Sequence, residues 1–180
     1  MAQWIFQNRP GYGVNANPHD SEHFVNDRVN RSQGLVREAI QNSLDAGGGG
    51  LVRIRFRLHK EAASKGATKK YLGTLRPHVA ACDLDLSDNE WNSPDFLVVE
   101  DFGTTGLTGD VEQESGNNYA NFWRNPGDSF KHDKKRGRWG LGKTVFPNSS
   151  RISGFFGLTV RLDDGKEMLC GLAGLKKHDI

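Results

Sequence analysis

The sequence is short of several things, and each shortage closes a door. It has only two cysteines in 180 residues, Cys82 and Cys170, with no redox or metal-ligand spacing between them. A disulfide-stapled secreted scaffold is therefore not expected, and reduced thiols in a cytoplasmic protein are. No apolar run approaches the roughly 18 residues needed to cross a bilayer. The opening MAQWIFQNRP lacks the basic start and apolar stretch of a signal peptide. No internal repeat occurs, and the six histidines, without ligand spacing, read as surface residues. Charge of either sign is not in excess, since 24 Lys+Arg against 22 Asp+Glu leave a formal +2, too little to announce a dedicated nucleic-acid binder.

What remains reads as one globular domain, 1–180. Apolar residues make up 36% and charged residues 26%, a balance that suits a packed core. Glycine is the informative residue. Many of the 22 glycines fall at 47–50, 103–109, 137–142 and 154–174, between hydrophobic segments, where backbone must turn or pass close to something.

Residues 1–31, with PGYG and NPHD turn signals and a short strand at Trp4–Phe6, read as an N-terminal strap. From Ser32 the spacing of Leu35, Val36, Ala39, Ile40 and Leu44 predicts a helix capped by Ser32 and ended by Gly47. LVRIRFRL (51–58) alternates as a half-buried strand, and DFLVVED (95–101) reads as a buried strand running into a glycine turn. Residues 59–94 resist assignment. The polar stretch 107–136, with a helical piece near Tyr119–Trp123, is long enough to suggest a lid. KTVFPNSS reads as a short helix broken by Pro147. Strands at 152–162 and 168–175 follow, joined at Asp163-Asp164-Gly165.

Three segments carry chemistry. In REAIQNSLDA (37–46), Glu38, Asn42 and Asp45 fall within about 60° of one another on a helix. An amide oxygen is a hard neutral donor suited to Mg²⁺, and a nearby glutamate can take a proton from an attacking water. Taken alone, such a face is usually only a solvated helix surface. In VVEDFGTTGL (98–107), Asp101 ends a strand and can accept a hydrogen bond from an exocyclic amine, with Gly103 and Gly106 beside it. An ordinary strand-to-loop turn is the simpler reading of this motif by itself.

The third segment is GRWGLGKT (137–144), where Gly137, Gly140, Leu141 and Gly142, followed by Lys143 and Thr144, lead into a possible helix start that favours phosphate. It matches the Walker A pattern letter for letter. A P-loop, however, follows a buried strand, and here KHDKKR precedes it and only residues 145–180 follow. The P-loop reading is set aside. The basic run Lys131, Lys134, Lys135, Arg136 and Arg138 leaves nucleic acid possible, although a solvated loop explains it. Trp123 and Trp139, flanking that run, are read as packing of the closed lid rather than as base-stacking residues.

Together and in this order, Glu38-x-x-x-Asn42-x-x-Asp45-Ala46, Asp101-x-Gly103-x-x-Gly106 and Gly137-x-x-Gly140-x-Gly142 resemble the N, G1 and G2 boxes of the GHKL, or Bergerat-fold, ATPases. The likeness spans roughly 32–175. QNSLDAG is most similar to the heat-shock chaperone, MutL and MORC branches. The resemblance implies a two-layer α/β (α+β) sandwich, its mixed and largely antiparallel sheet covered on one face by helices, with an ATP lid at 107–136.

It also implies ATP and Mg²⁺ as cofactors, with Glu38 polarising water and Asn42 holding the metal. Asp45 would support the pocket floor, Asp101 read the adenine amine, Gly103 and Gly106 let the base lie close, and the 137–144 residues cradle phosphate. The sequence departs from the family in the extra residue between Gly103 and Gly106, and no late threonine of the adenine pocket is evident. The implied activity is ATP hydrolysis coupled to lid closure, to homodimerisation and to further domains of a longer protein of which this would be the N-terminal module. The alternatives are a nucleotide-binding switch with little hydrolysis and, further off, a P-loop protein.

Overall fold

Asn30 starts the first helix. Its side chain accepts from Gln33 N at 2.9 Å, and the Gln33 side chain accepts from Asn30 N at 3.2 Å, a reciprocal cap at the entrance to α1 (Arg31–Asp45). The cap thus lies two residues before the expected Ser32, because Gln33 sits where it completes a capping box with Asn30 and not with Ser32. The remaining elements are β1 (Arg53–His59), α2 (Lys65–Leu72), α3 (Arg76–Ala81), α4 (Asp88–Asn92), β2 (Phe96–Phe102), α5 (Asn118–Trp123), α6 (Val145–Ser149), β3 (Gly154–Val160) and β4 (Glu167–Ala173). They come from a computed structural model that describes residues 2–6, 30–60, 63–84, 86–124, 145–176 and 178.

The strands form two small antiparallel pairs, β1–β2 and β3–β4, not one continuous sheet. In the first pair His59 stacks on Phe96 at 4.8 Å while Arg55 meets Glu100 at 2.8 Å, so residue numbers rise along one strand as they fall along the other. In the second, Gly154 lies opposite Ala173 and Val160 opposite Glu167. The chain is therefore mixed, with helices and small antiparallel sheets. It divides into two compact units. One is built from the described residues within 1–17, 55–100 and 175–180, the other from those within 18–54 and 101–174.

In the first unit the unassigned stretch 59–94 becomes three short helices. Leu75 and Val79 are fully buried, with Cys82 and Trp91 nearly so. Residues 2–6 form no strand. Instead Trp4 Nε1 donates to Tyr71 O at 2.8 Å and Ala2 N to Lys70 O at 2.8 Å, tying this segment to α2. β2 is less buried than its apolar run implied, with Phe96 and Leu97 exposed and Glu100 held by Arg55 and Arg57. The histidines are not all surface residues. His78 and His178 are half-buried, joined Nδ1 to Nε2 at 2.8 Å, and Cys82 Sγ lies 3.4 Å from His178 Nδ1. Burial, and then the second ring, push the His78 imidazole below its ordinary value.

The second unit is organised around β3–β4. Its hairpin turns at Asp163-Asp164-Gly165 as expected, with Gly165 at φ +69°. On the inner face Phe155 stacks on Trp123 at 5.6 Å. A Cβ at Gly157 would stand 2.8 Å from that indole, so only glycine fits between strand and ring. Tyr119 and Ala120 of α5 are buried, and the Tyr119 hydroxyl meets Cys170 Sγ at 3.2 Å. Burial and that contact push its phenol up to about 12. α6 packs on α1 and β3. Pro147 does not break α6 but sits buried inside it, as the third residue, where its missing N–H costs no helical hydrogen bond.

The expected apolar face of α1 is corrected. Only Ala39 of its apolar positions is fully buried, together with Gly34 and Ser43, while Val36, Ile40 and Leu44 are exposed. The small residues face inward because they allow close packing; the larger ones form an outer stripe.

Candidate functional site

The first two motifs meet. α1 ends at Ala46, and the chain that follows lies beside the loop after β2. Thr105 N donates to Ala46 O at 2.9 Å, Gly48 N donates to Gly103 O at 3.2 Å, and Gly47 bridges to Thr104. Side chains continue the join. Ser43, 4% exposed, places its Oγ 3.0 Å from Asp101 Oδ2 and also 3.0 Å from Ala39 O. A hydroxyl has one proton to give, and the carboxylate is the stronger acceptor, so we assign it to Asp101. Thr104 Oγ1 donates to the other oxygen, Asp101 Oδ1, at 2.9 Å. An ionised carboxylate has about four acceptor positions, so two remain for a further donor.

Of the predicted α1 face, Glu38, Asn42 and Asp45 are all half-buried. Asp45 accepts from Gln41 Nε2 at 2.9 Å. Glu38 Oε1 is held by the neighbouring Arg37, 3.0 Å from Nε and 2.9 Å from Nη2. Asn42 has no such partner, and its Nδ2 is buried without an acceptor.

The fold itself requires the two glycines of the second motif. Gly103 has φ +82°, and a Cβ there would run into the Leu51 carbonyl oxygen. Gly106 has φ +67°, and its Cβ would collide with Val160 O and stand 2.9 Å from Thr159 Oγ1. What these glycines admit closely is the chain's own backbone. Thr159 is a residue the sequence reading missed. Buried on β3, it accepts from Leu107 N at 2.8 Å and so pins the loop. Its place in the inward phase with Phe155 and Gly157 is the signal that marks it. Ser43, in phase with Ala39 one turn earlier, is the other omission.

The third motif, Gly137, Gly140, Leu141, Gly142, Lys143 and Thr144, lies outside the described residues, as do Trp139 and the basic run at 131–138. Of the lid expectation, residues 107–124 are described and are firmly tied down. Gly109 N donates to Asp163 Oδ2 at 2.8 Å, and the Arg124 guanidinium donates to the carbonyls of Val111, Glu112 and Gln113. Residues 125–136 lie outside the described set. An open depression beside the loop is lined by Thr105, Thr108, Gly109, Asn118, Leu162 and Asp163. Glu38, Asn42 and Asp101 are not in that lining, so hydrogen-bonding geometry, not concavity, defines the candidate site.

Comparison with protein-family models, curated proteins and solved structures finds no match.

No group of three or more His, Cys, Asp or Glu among the described residues is arranged to hold a metal ion. Mg²⁺ keeps several waters and takes one or two protein oxygens alongside phosphates. The Asn42 carboxamide is suited to such a site, because its oxygen is a hard neutral donor and its Nδ2 has no acceptor in the fold. Among the described residues no helix is long and apolar enough to cross a membrane.

Proposed function

We propose that this chain is a GHKL-type, Bergerat-fold ATP-binding module that hydrolyses ATP. One observation carries the reading. The helix bearing Glu38 and Asn42 is joined to the strand end bearing Asp101 by the Ser43–Asp101 hydrogen bond and the adjoining backbone bonds. In this reading the bond brings together a carboxylate that would read adenine and a helix that would face phosphate, across 58 residues of sequence.

Asp101 keeps acceptor positions for the exocyclic amine of adenine. Asn42 would hold Mg²⁺, which when bound neutralises charge on the phosphates. Glu38 takes the proton of the attacking water, and Asp45 supports the helix face through Gln41. Gly137–Thr144 contribute backbone N–H groups and a lysine to phosphate. Homodimerisation and further domains of a longer chain belong to this reading.

A second reading, a nucleotide-binding switch with slow hydrolysis, is favoured by one contact. The Arg37 guanidinium occupies Glu38 Oε1, one of the two oxygens from which a general base could act. Turnover separates the two.

The test measures ATP affinity and Mg²⁺-dependent phosphate release. Asp101→Asn loses a charge-assisted hydrogen bond, and affinity should fall roughly ten- to hundredfold. Glu38→Ala should keep affinity while turnover falls by about 10²-fold or more. Wild-type protein that binds no nucleotide, or an Asp101→Asn variant that binds as tightly as wild type, sinks the proposal; the latter outcome returns the P-loop alternative.

A further inference from the structure

Buried polar atoms without partners are few in folded proteins, and each calls for an explanation. In the second unit one such atom is Asn42 Nδ2 on α1. Another is Asn148 Nδ2 on α6, and these two helices pack on one another. Trp123 Nε1 is also unpaired, but its indole is held in place by stacking on Phe155. Asn148 has no such justification. Its neighbours in α6, Val145 and Pro147, supply the buried apolar surface of that helix.

We propose that Asn148 is a second carboxamide of the nucleotide site, donating through Nδ2 to a phosphate oxygen. The inference rests on the ATP-binding reading above. In the orientation the structure gives Asn148, the missing partner is an acceptor, because an amide nitrogen carries two donors and no lone pair to offer. Phosphate oxygens are strong acceptors, and a neutral donor binds them without adding charge next to α1, which carries Glu38 and Asp45. The two carboxamides then divide the work. Asn42 turns its oxygen to the cation, and Asn148 turns its nitrogen to the anion.

The test compares wild type, Asn148→Ala and Asn148→Asp in the full chain, with ATP and Mg²⁺ as the probe and thermal unfolding without nucleotide as the second measurement. Asn148→Ala should weaken ATP binding about tenfold. Its unliganded unfolding midpoint should stay level or rise, because the change removes an unpaired buried donor. Asn148→Asp, which sets an anion against phosphate, should weaken binding further.

If wild type binds ATP and Asn148→Ala binds within about twofold of it, a loss smaller than one hydrogen bond, this inference falls and the ATP reading stands. A midpoint that drops in the unliganded Asn148→Ala protein assigns Asn148 to the packing of α6 and also overturns the inference. If wild type binds no nucleotide, both readings fall together.

Discussion

Replacing Gly103 with alanine asks the chain for two things at once. It demands a left-handed conformation of a residue with a Cβ, at φ +82°, and it drives that Cβ into the Leu51 carbonyl oxygen. The first costs about 1–2 kcal/mol. The second is an overpacking against backbone, which cannot swing away, and costs roughly 1–3 kcal/mol. Alanine recovers about 0.4–1 kcal/mol by stiffening the unfolded chain. The net expectation is a loss of about 2–4 kcal/mol, a large part of a total stability on the order of 5–15 kcal/mol.

Two neighbouring glycines isolate the parts. Gly49 has φ +88° with nothing within 4 Å of its Cβ position, so Gly49→Ala should show the conformational cost alone, about 1 kcal/mol. Gly50 is open and outside the left-handed region, so Gly50→Ala should be neutral or stabilise by about 0.5 kcal/mol. Urea unfolding of the three variants, at unchanged m-value, reads these differences from the midpoints. A Gly103→Ala protein no less stable than Gly49→Ala refutes the claim that the loop is pressed against residue 51.

Two titrations test the burial of specific groups. The folded protein holds the His78 imidazole below its ordinary value, so the unfolded chain binds that proton more readily. Its share of stability is therefore complete above the unfolded value of about 6.5 and is lost as pH falls below it. Unfolding midpoints between neutral and mildly acidic pH should show this decline, and His78→Asn should flatten it; an equal decline in the variant rejects His78 as its source. For Tyr119 the sign is opposite. With the folded phenol at about 12, stability should fall once pH passes the ordinary tyrosine value of about 10. Of the three tyrosines, one should ionise near that raised value by ultraviolet absorbance and vanish from the titration in Tyr119→Phe.

How much of this was legible follows the distance over which each interaction acts. The β3–β4 hairpin and its Asp163-Asp164-Gly165 turn are written locally, and so is α1, apart from the choice between two good caps that Gln33 decides in favour of Asn30. The helices of 65–92 were not legible. They are five to eight residues long, too short to stand on propensity, and are secured by partners such as Trp4, 67 residues away from Tyr71. β2 misled because an apolar run does not say whether anything covers it. In the candidate site the same rule holds. Glu38, Asn42 and Asp101 stand out by residue type and spacing, whereas Ser43 and Thr159 matter only through bonds to residues 58 and 52 positions away.

That division bears on which substitution probes function and which probes folding. Asp101 does not hold the loop to α1 by itself, because the backbone bonds of Ala46 and Gly48 to Thr105 and Gly103 run past it. An asparagine at 101 retains an oxygen for the Thr104 or Ser43 hydroxyl, and if the Asp101 bond is lost, Ser43 can turn its proton to Ala39 O, already 3.0 Å away. Asp101→Asn therefore removes a charge and an acceptor while leaving the join intact. Gly103 is the reverse case, a residue with no chemistry to offer whose replacement disturbs the join and leaves the carboxylate in place. Loss of nucleotide binding in the first with stability retained, set against loss of stability in the second, separates the chemistry of the site from the scaffold that assembles it.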